Sequence, residues 1–234
     1  MKEEANLRTY LSISPNKFGI YLFDTKSFTY LYESEIEIEN NFTSKDMDSL
    51  TRFLEDNVFN IEKLIGKFLN NIILIIKSKK ILETVIGIKK KNYEEKISKN
   101  FLDTMIIDVK DLFKENYQNE KILHMIIKRY LVDGKLYFSL KNNLRCKDLC
   151  MEIQFSFIST KFISDISKVL EKYQIKITEC IDHEYIKVFF KHEDMKICEM
   201  AYKIENGHNE NEVKIIPKST KNIGFFEKFF QLFS

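Results

Sequence analysis

Few residues in this chain have types that could do chemistry, and their spacing limits what that chemistry is. Cys180, His183, His192 and Cys198 can be written as C-x2-H-x8-H-x5-C. Thiolate and imidazole suit zinc, but zinc sites usually draw their ligands from tighter pairs than these. Cys180 closes an apolar strand and Cys198 falls on an apolar helix stripe, so both read as buried structural thiols. Cys146 and Cys150, four apart in an expected loop without a nearby histidine, read the same way. His124 sits inside a strand of alternating character, where a histidine satisfied at a core or edge is expected rather than a base. No hydroxyl or thiol nucleophile lines up with a histidine and a carboxylate. The expectation is a chain without catalytic, cofactor-binding or metal-binding residues, and not an enzyme.

The other chemistry on offer is apolar. Residues 223–234 read I-G-F-F-E-K-F-F-Q-L-F-S. At helical spacing Phe225, Phe226, Phe229, Phe230, Leu232 and Phe233 share one arc of about 160°, with Glu227, Lys228, Gln231 and Ser234 opposite. So short a helix is marginal alone, because nucleation is costly and few hydrogen bonds follow. It needs a lipid surface, a partner's groove or its own body to fold against. Those six apolar residues, with Lys221 and Lys228 beside them, are the candidate membrane-binding residues.

A second basic stretch, Lys77 to Lys99, carries Lys77, Lys79, Lys80, Lys89, Lys90, Lys91, Lys96 and Lys99 with only Tyr93 as an interleaved aromatic. Nucleic-acid grooves need aromatic platforms, so the stretch reads as a solvated loop and helix start that could also meet anionic lipid. The balance of 37 basic against 35 acidic residues argues against a dedicated nucleic-acid binder. With 234 residues and 44% apolar content the chain can build a real core, as one large domain or two small ones. Met1 to Tyr10 lacks the apolar run of a signal peptide, and Ile72 to Ile76 is too short to span a bilayer. Reduced cysteines in a soluble protein, attached at most to a membrane surface, are expected.

The elements that position these residues alternate. Strands are expected on both sides of Ser14-Pro15-Asn16-Lys17 and over Phe28 to Glu39. A helix with caps at Thr43 or Ser44 carries Met47, Leu50, Leu54, Val58, Ile61, Leu64, Ile65 and Phe68 at three- and four-residue spacing. Strands follow at Ile72–Ile76 and Thr84–Ile88, then a helix over Glu95–Lys114. Asp133-Gly134 marks a two-residue hairpin between Lys121–Val132 and Lys135–Leu140, since both positions need positive φ. Met151–Ser159 alternates as a strand, Lys161–Tyr173 as a helix, and Ile175–Ile181 and Tyr185–Phe190 as strands. Met195–Ile204 reads as a helix stopped at Asn206-Gly207, and Val213 to Ile216 runs extended into Pro217. The fold class is α/β or α+β with mixed sheets.

In that order, Ile122-Leu123-His124-Met125-Ile126-Ile127-Lys128-Arg129-Tyr130-Leu131-Val132-Asp133-Gly134 resembles the V-L-H-V-I-P-x-x-Y-x-I-D segment of bacterial cell-division protein FtsA, a membrane-tethered relative of actin. The segment belongs to that family's small inserted subdomain, 1C or SHS2. The resemblance implies a truncated actin-like domain 1: a 1A part at 9–81, an SHS2-like subdomain at 82–158, the rest of 1A at 159–207, a tether at 208–222, and a membrane-targeting helix at 223–234. Domain 2 of the family has no counterpart. Where the family's phosphate loop reads E-I-G-T-x-K, this chain reads Ser12-Ile13-Ser14-Pro15-Asn16-Lys17. The acid, the glycine and the hydroxyl are gone, and Pro15 removes a backbone donor. No cofactor is therefore expected.

The resemblance implies a non-catalytic peripheral adaptor at the cytoplasmic face of the cell membrane. It would touch anionic lipid and other division proteins and associate with itself, with direct FtsZ binding in doubt because that contact belongs to domain 2. The alternative is a protein-interaction module of a pilus-assembly type actin-like branch, its phenylalanine helix seated in a partner's groove.

Overall fold

In a computed structural model, residues 6–38, 47–141 and 143–213 are described. The chain divides into two compact units, one from residues 1–81 and 158–208, the other from 82–157 and 209–234.

The first unit is built on a five-stranded mixed sheet. β1 (Leu7–Ser14), β2 (Lys17–Asp24) and β3 (Thr29–Glu37) form an antiparallel meander, and β4 (Asn71–Ile76) and β9 (Lys176–Asp182) continue it in parallel, in the order β3-β2-β1-β4-β9. β4 reads Asn-Ile-Ile-Leu-Ile-Ile and is buried from Ile72 onward, as a strand covered on both faces must be. One face packs Tyr10, Phe23, Ile73, Ile75 and Ile181 against α4 (His183–Phe189) and α5 (Ile197–Glu205), through Ile186, Cys198, Met200 and Ile204. By strand alternation Leu11, Ile13, Leu74 and Ile76 point the other way. Phe18, on the neighbouring β2, meets Phe53 of α1 (Met47–Ile65) with ring centroids 5.9 Å apart. α3 (Thr160–Glu171) packs beside α1, and Tyr173 Oη donates to the Thr51 carbonyl at 3.1 Å.

The second unit is a four-stranded sheet in the order β5-β8-β6-β7 with α2 (Lys99–Asn116) over one face. β5 (Leu82–Lys91) and β8 (Asp148–Ser159) pair antiparallel from Leu82↔Phe157 to Lys91↔Asp148. β6 (Glu120–Val132) and β7 (Lys135–Tyr137) meet at the Asp133-Gly134 hairpin, whose φ values of 49° and 80° are those the sequence required. The Asp133 carboxylate accepts from the backbone N–H groups of Lys147 and Asp148, both at 2.9 Å, which fixes the entry to β8. Phe113 of α2 stacks on Phe155 at 4.6 Å between centroids and also on Tyr117.

Several elements differ from the sequence reading, each for a local reason. Tyr185–Phe190, expected as a strand, lies in α4 and its cap: the Asp182 side chain accepts from Glu184 N at 2.9 Å and starts the helix. Phe68, expected on the stripe of α1, lies beyond its end, because Gly66 at φ +70° stops the helix. α2 starts at Lys99 behind an N-cap at Ser98, so Ile97 precedes it. Cys150 is on β8, and Lys89, Lys90 and Lys91 are on β5, not in loops.

Candidate functional site

The place to look for phosphate chemistry is the β1–β2 turn. It is a tight hairpin, Ser14↔Lys17, with Pro15-Asn16 at its tip. Ser14 Oγ donates to the Lys17 carbonyl at 2.9 Å, so the turn is closed by its own side chain. Neither Pro15 nor Asn16 has positive φ. The Lys17 ammonium ion-pairs with Glu35 of β3, and the Tyr21 hydroxyl donates to the same carboxylate. Partial burial pulls the Glu35 carboxyl upward, but the hydrogen bonds from Lys17 and Tyr21 outweigh it and hold it below the usual range. Lys17 is thus engaged by an acid, and this closed turn is not the open, glycine-lined loop that cradles a phosphate.

The candidate zinc residues do not converge. Cys180 and Cys198 are buried, and burial pushes the Cys198 thiol well up while Tyr30 beside it pulls it down. Among the described residues no group of three or more His, Cys, Asp or Glu side chains could hold a metal ion. Part of the basic stretch is matched by acids: Lys77 with Glu184 at 2.9 Å, Lys89 with Asp148 at 3.4 Å, and Lys90 with Asp108. Lys96 donates to the Asn143 side-chain oxygen at 3.0 Å. These partners leave the stretch a weaker lure for anionic lipid than its lysine count suggests.

His124 has a partner that spacing could not reveal. It is 3% exposed, and its Nδ1 lies 2.6 Å from the Glu212 carboxylate, itself 7% exposed. Around that contact the chain pairs with β6: Ile127 N donates to Asn211 O and Val213 N to Met125 O, both at 2.8 Å. Residues 209–213, expected as the start of a tether, are therefore held to β6 of the second unit by a turn and a single antiparallel bridge at Glu212. The apolar candidates Phe225, Phe226, Phe229, Phe230, Leu232 and Phe233, with Lys221 and Lys228, lie outside the described residues, as do Thr43 and Ser44.

The first unit also holds a groove that the sequence did not announce, with a volume of about 810 Å³. Its floor is the starting ends of β1, β4 and β9, and its walls are the end of α1, the 66–70 loop and Glu205 of α5. Leu7, Leu64 and Phe68 give it an apolar side. Arg8, Lys67, Glu179 and Glu205 give it charge of both signs. Leu64 is 58% exposed and Phe68 79%, held out by a loop that Glu62 fixes through Leu69 N at 3.0 Å. Glu205 also accepts from Tyr10 Oη at 2.6 Å, which ties α5 to the floor. A small-molecule site has this size, but with two large apolar residues in the open the groove is better matched to a protein segment.

No family model and no curated protein matches the sequence. Solved structures do. A chain of the PilM–PilN type IV pilus biogenesis complex superposes with a TM-score of 0.52 at 7% identity, over 78% of this chain and 49% of that one. The cytoplasmic domain of EpsL, from the type II secretion system of Vibrio cholerae, gives 0.32 at 6% identity over 77% and 56%. A Bacteroides thetaiotaomicron protein of actin-like ATPase fold and unknown function gives 0.33 at 15% identity over 81% and 58%. This chain spans about half of the pilus protein's length. The likeness to the chain of the PilM–PilN complex is one of fold, a mixed α/β architecture.

Proposed function

We propose that this chain is a non-catalytic, actin-like interaction module of a pilus- or secretion-type assembly system, held at the cytoplasmic face of the membrane by residues 223–234. The observation that carries the non-catalytic half is the closed β1–β2 hairpin, where Lys17 is bound by Glu35 instead of facing an open glycine loop. Support for the assembly half comes from the fold shared with the chain of the PilM–PilN complex. Support for the membrane half comes from sequence alone: five phenylalanines on one arc after two lysines at 218 and 221. Among the described residues no helix is long and apolar enough to cross a membrane. Partial burial of five phenyl groups gives on the order of 5–8 kcal/mol before ordering costs, enough for reversible binding. A second reading, an adaptor of the division machinery, is favoured by the order of elements around Ile122–Gly134 and differs in the partner.

Two measurements test the proposal. Magnesium-ATP at millimolar concentration is expected to leave the melting temperature unmoved, and a rise of several degrees would restore a nucleotide site. The full chain is expected to float with vesicles of phosphatidylglycerol and phosphatidylethanolamine, while a chain ending at Asn222 stays behind; equal flotation of both would end the membrane assignment. Two-hybrid pairing against the pilus, secretion and division proteins of the host separates the two partner classes.

A further inference from the structure

The groove of the first unit has an apolar side in the open, and the chain itself carries a segment made to cover one. We infer that residues 223–234 dock in this groove when no membrane is present, so that the segment alternates between lipid and its own body. The inference rests on the proposed reading of 223–234 as an amphipathic, aromatic segment. Two observations select this occupant. The first is apolar match: Leu64 and Phe68 stand 58% and 79% exposed at the groove's wall, a surface that phenyl groups cover well. The second is reach. Glu205 lines the groove and Val213 follows eight positions later, so the two are at most about 28 Å apart at full extension. The ten steps from Val213 to Ile223 span up to about 34 Å, so the segment can return to the groove from any allowed position of Val213.

Docking in this form makes membrane attachment conditional. A segment buried against the body is withheld from lipid, and vesicles must compete for it. The same surface would also be withheld from a protein partner until lipid draws the segment away.

The test uses the full chain, with Leu64→Ser/Phe68→Ser as the groove variant. Both side chains are exposed, so the body is expected to keep its fold, which the melting temperature checks. Without vesicles, amide exchange of 223–234 is expected to be about ten-fold slower in the native chain than in the groove variant, the change that losing two apolar contacts produces. Flotation with phosphatidylglycerol and phosphatidylethanolamine vesicles is expected to rise several-fold in the groove variant. Equal exchange of 223–234 in both chains overturns the inference, as does a small molecule retained in the groove by native mass spectrometry with 223–234 unprotected. If neither chain floats but exchange still depends on the groove, the membrane reading fails and the docking stands.

Discussion

A methyl group at Gly19 would have to enter space that Tyr21 already fills, since a Cβ built there comes within 2.7 Å of the tyrosine's ring carbon. Tyr21 leans across Gly19 to give its hydroxyl to Glu35, the residue that also holds Lys17. Gly19 thus owes its identity to a close approach, not to a turn. Gly19→Ala is expected to cost roughly 1–3 kcal/mol, the range of overpacked sites, read as a lower urea midpoint at unchanged slope. This network also marks a limit of sequence reading at the residue scale. The absence of an acid and a glycine from Ser12-Ile13-Ser14-Pro15-Asn16-Lys17 was legible in the sequence. The fate of Lys17 was not, because Glu35 reaches it only through the β2–β3 register, which sets Gly19 opposite Glu35 and Lys17 opposite Glu37.

At the scale of elements, long periodic segments were readable and short or paired ones were not. The stripes of α1, α2 and α3 and the alternation of β8 are local patterns and came out within a few residues. Tyr185–Phe190 failed because so short an apolar window fits both periods, and a single carboxylate at Asp182 decides for the helix. Residues 209–213 differ for another reason: their polar composition suits a tether, and only β6, far away in the chain, holds Asn211 to Val213 in place through a bridge. The His124–Glu212 contact is the buried lock of that bridge. His124→Ala leaves the Glu212 carboxylate without its imidazole partner in a dry place, at a cost of about 1–3 kcal/mol. Faster hydrogen exchange at Ile127 and Val213, the two amides that pair across this edge, is the expected sign, with α1 amides in the other unit unchanged.

On the scale of the whole molecule, acid should act on the first unit in two stages. Burial holds the His183 ring below its ordinary value near 6.5, although Glu184 at 3.5 Å pulls it up. A histidine depressed in the folded state stabilises fully above 6.5, and that contribution is lost as pH falls through the folded value. Glu184, held down chiefly by its hydrogen bond from Lys77, and Glu35 are depressed below their ordinary 4.5. Their contributions are present above 4.5 and disappear as pH falls further. The melting temperature is therefore expected to decline first below about pH 6.5 and again below about pH 4.5, and His183→Gln should flatten only the first decline. The α/β class could be read from the order of elements. The 810 Å³ groove could not, since its lining comes from five separated stretches of chain.

The inserted unit also has a consequence for the order in which the chain can become a protein. β4 pairs with β9, Asn71 beside Lys176, and everything from Leu82 to Phe157 is synthesised between them. On a translating ribosome the first unit must therefore wait, with one side of β4 unpaired, while β5, α2, β6, β7 and β8 emerge. The second unit then lacks only the late bridge at Glu212, so it can take shape first, and its compaction shortens the loop that β4 and β9 must close. The insertion thus serves as an internal scaffold in time: the part that interrupts the sheet is also the part that brings its two halves within reach.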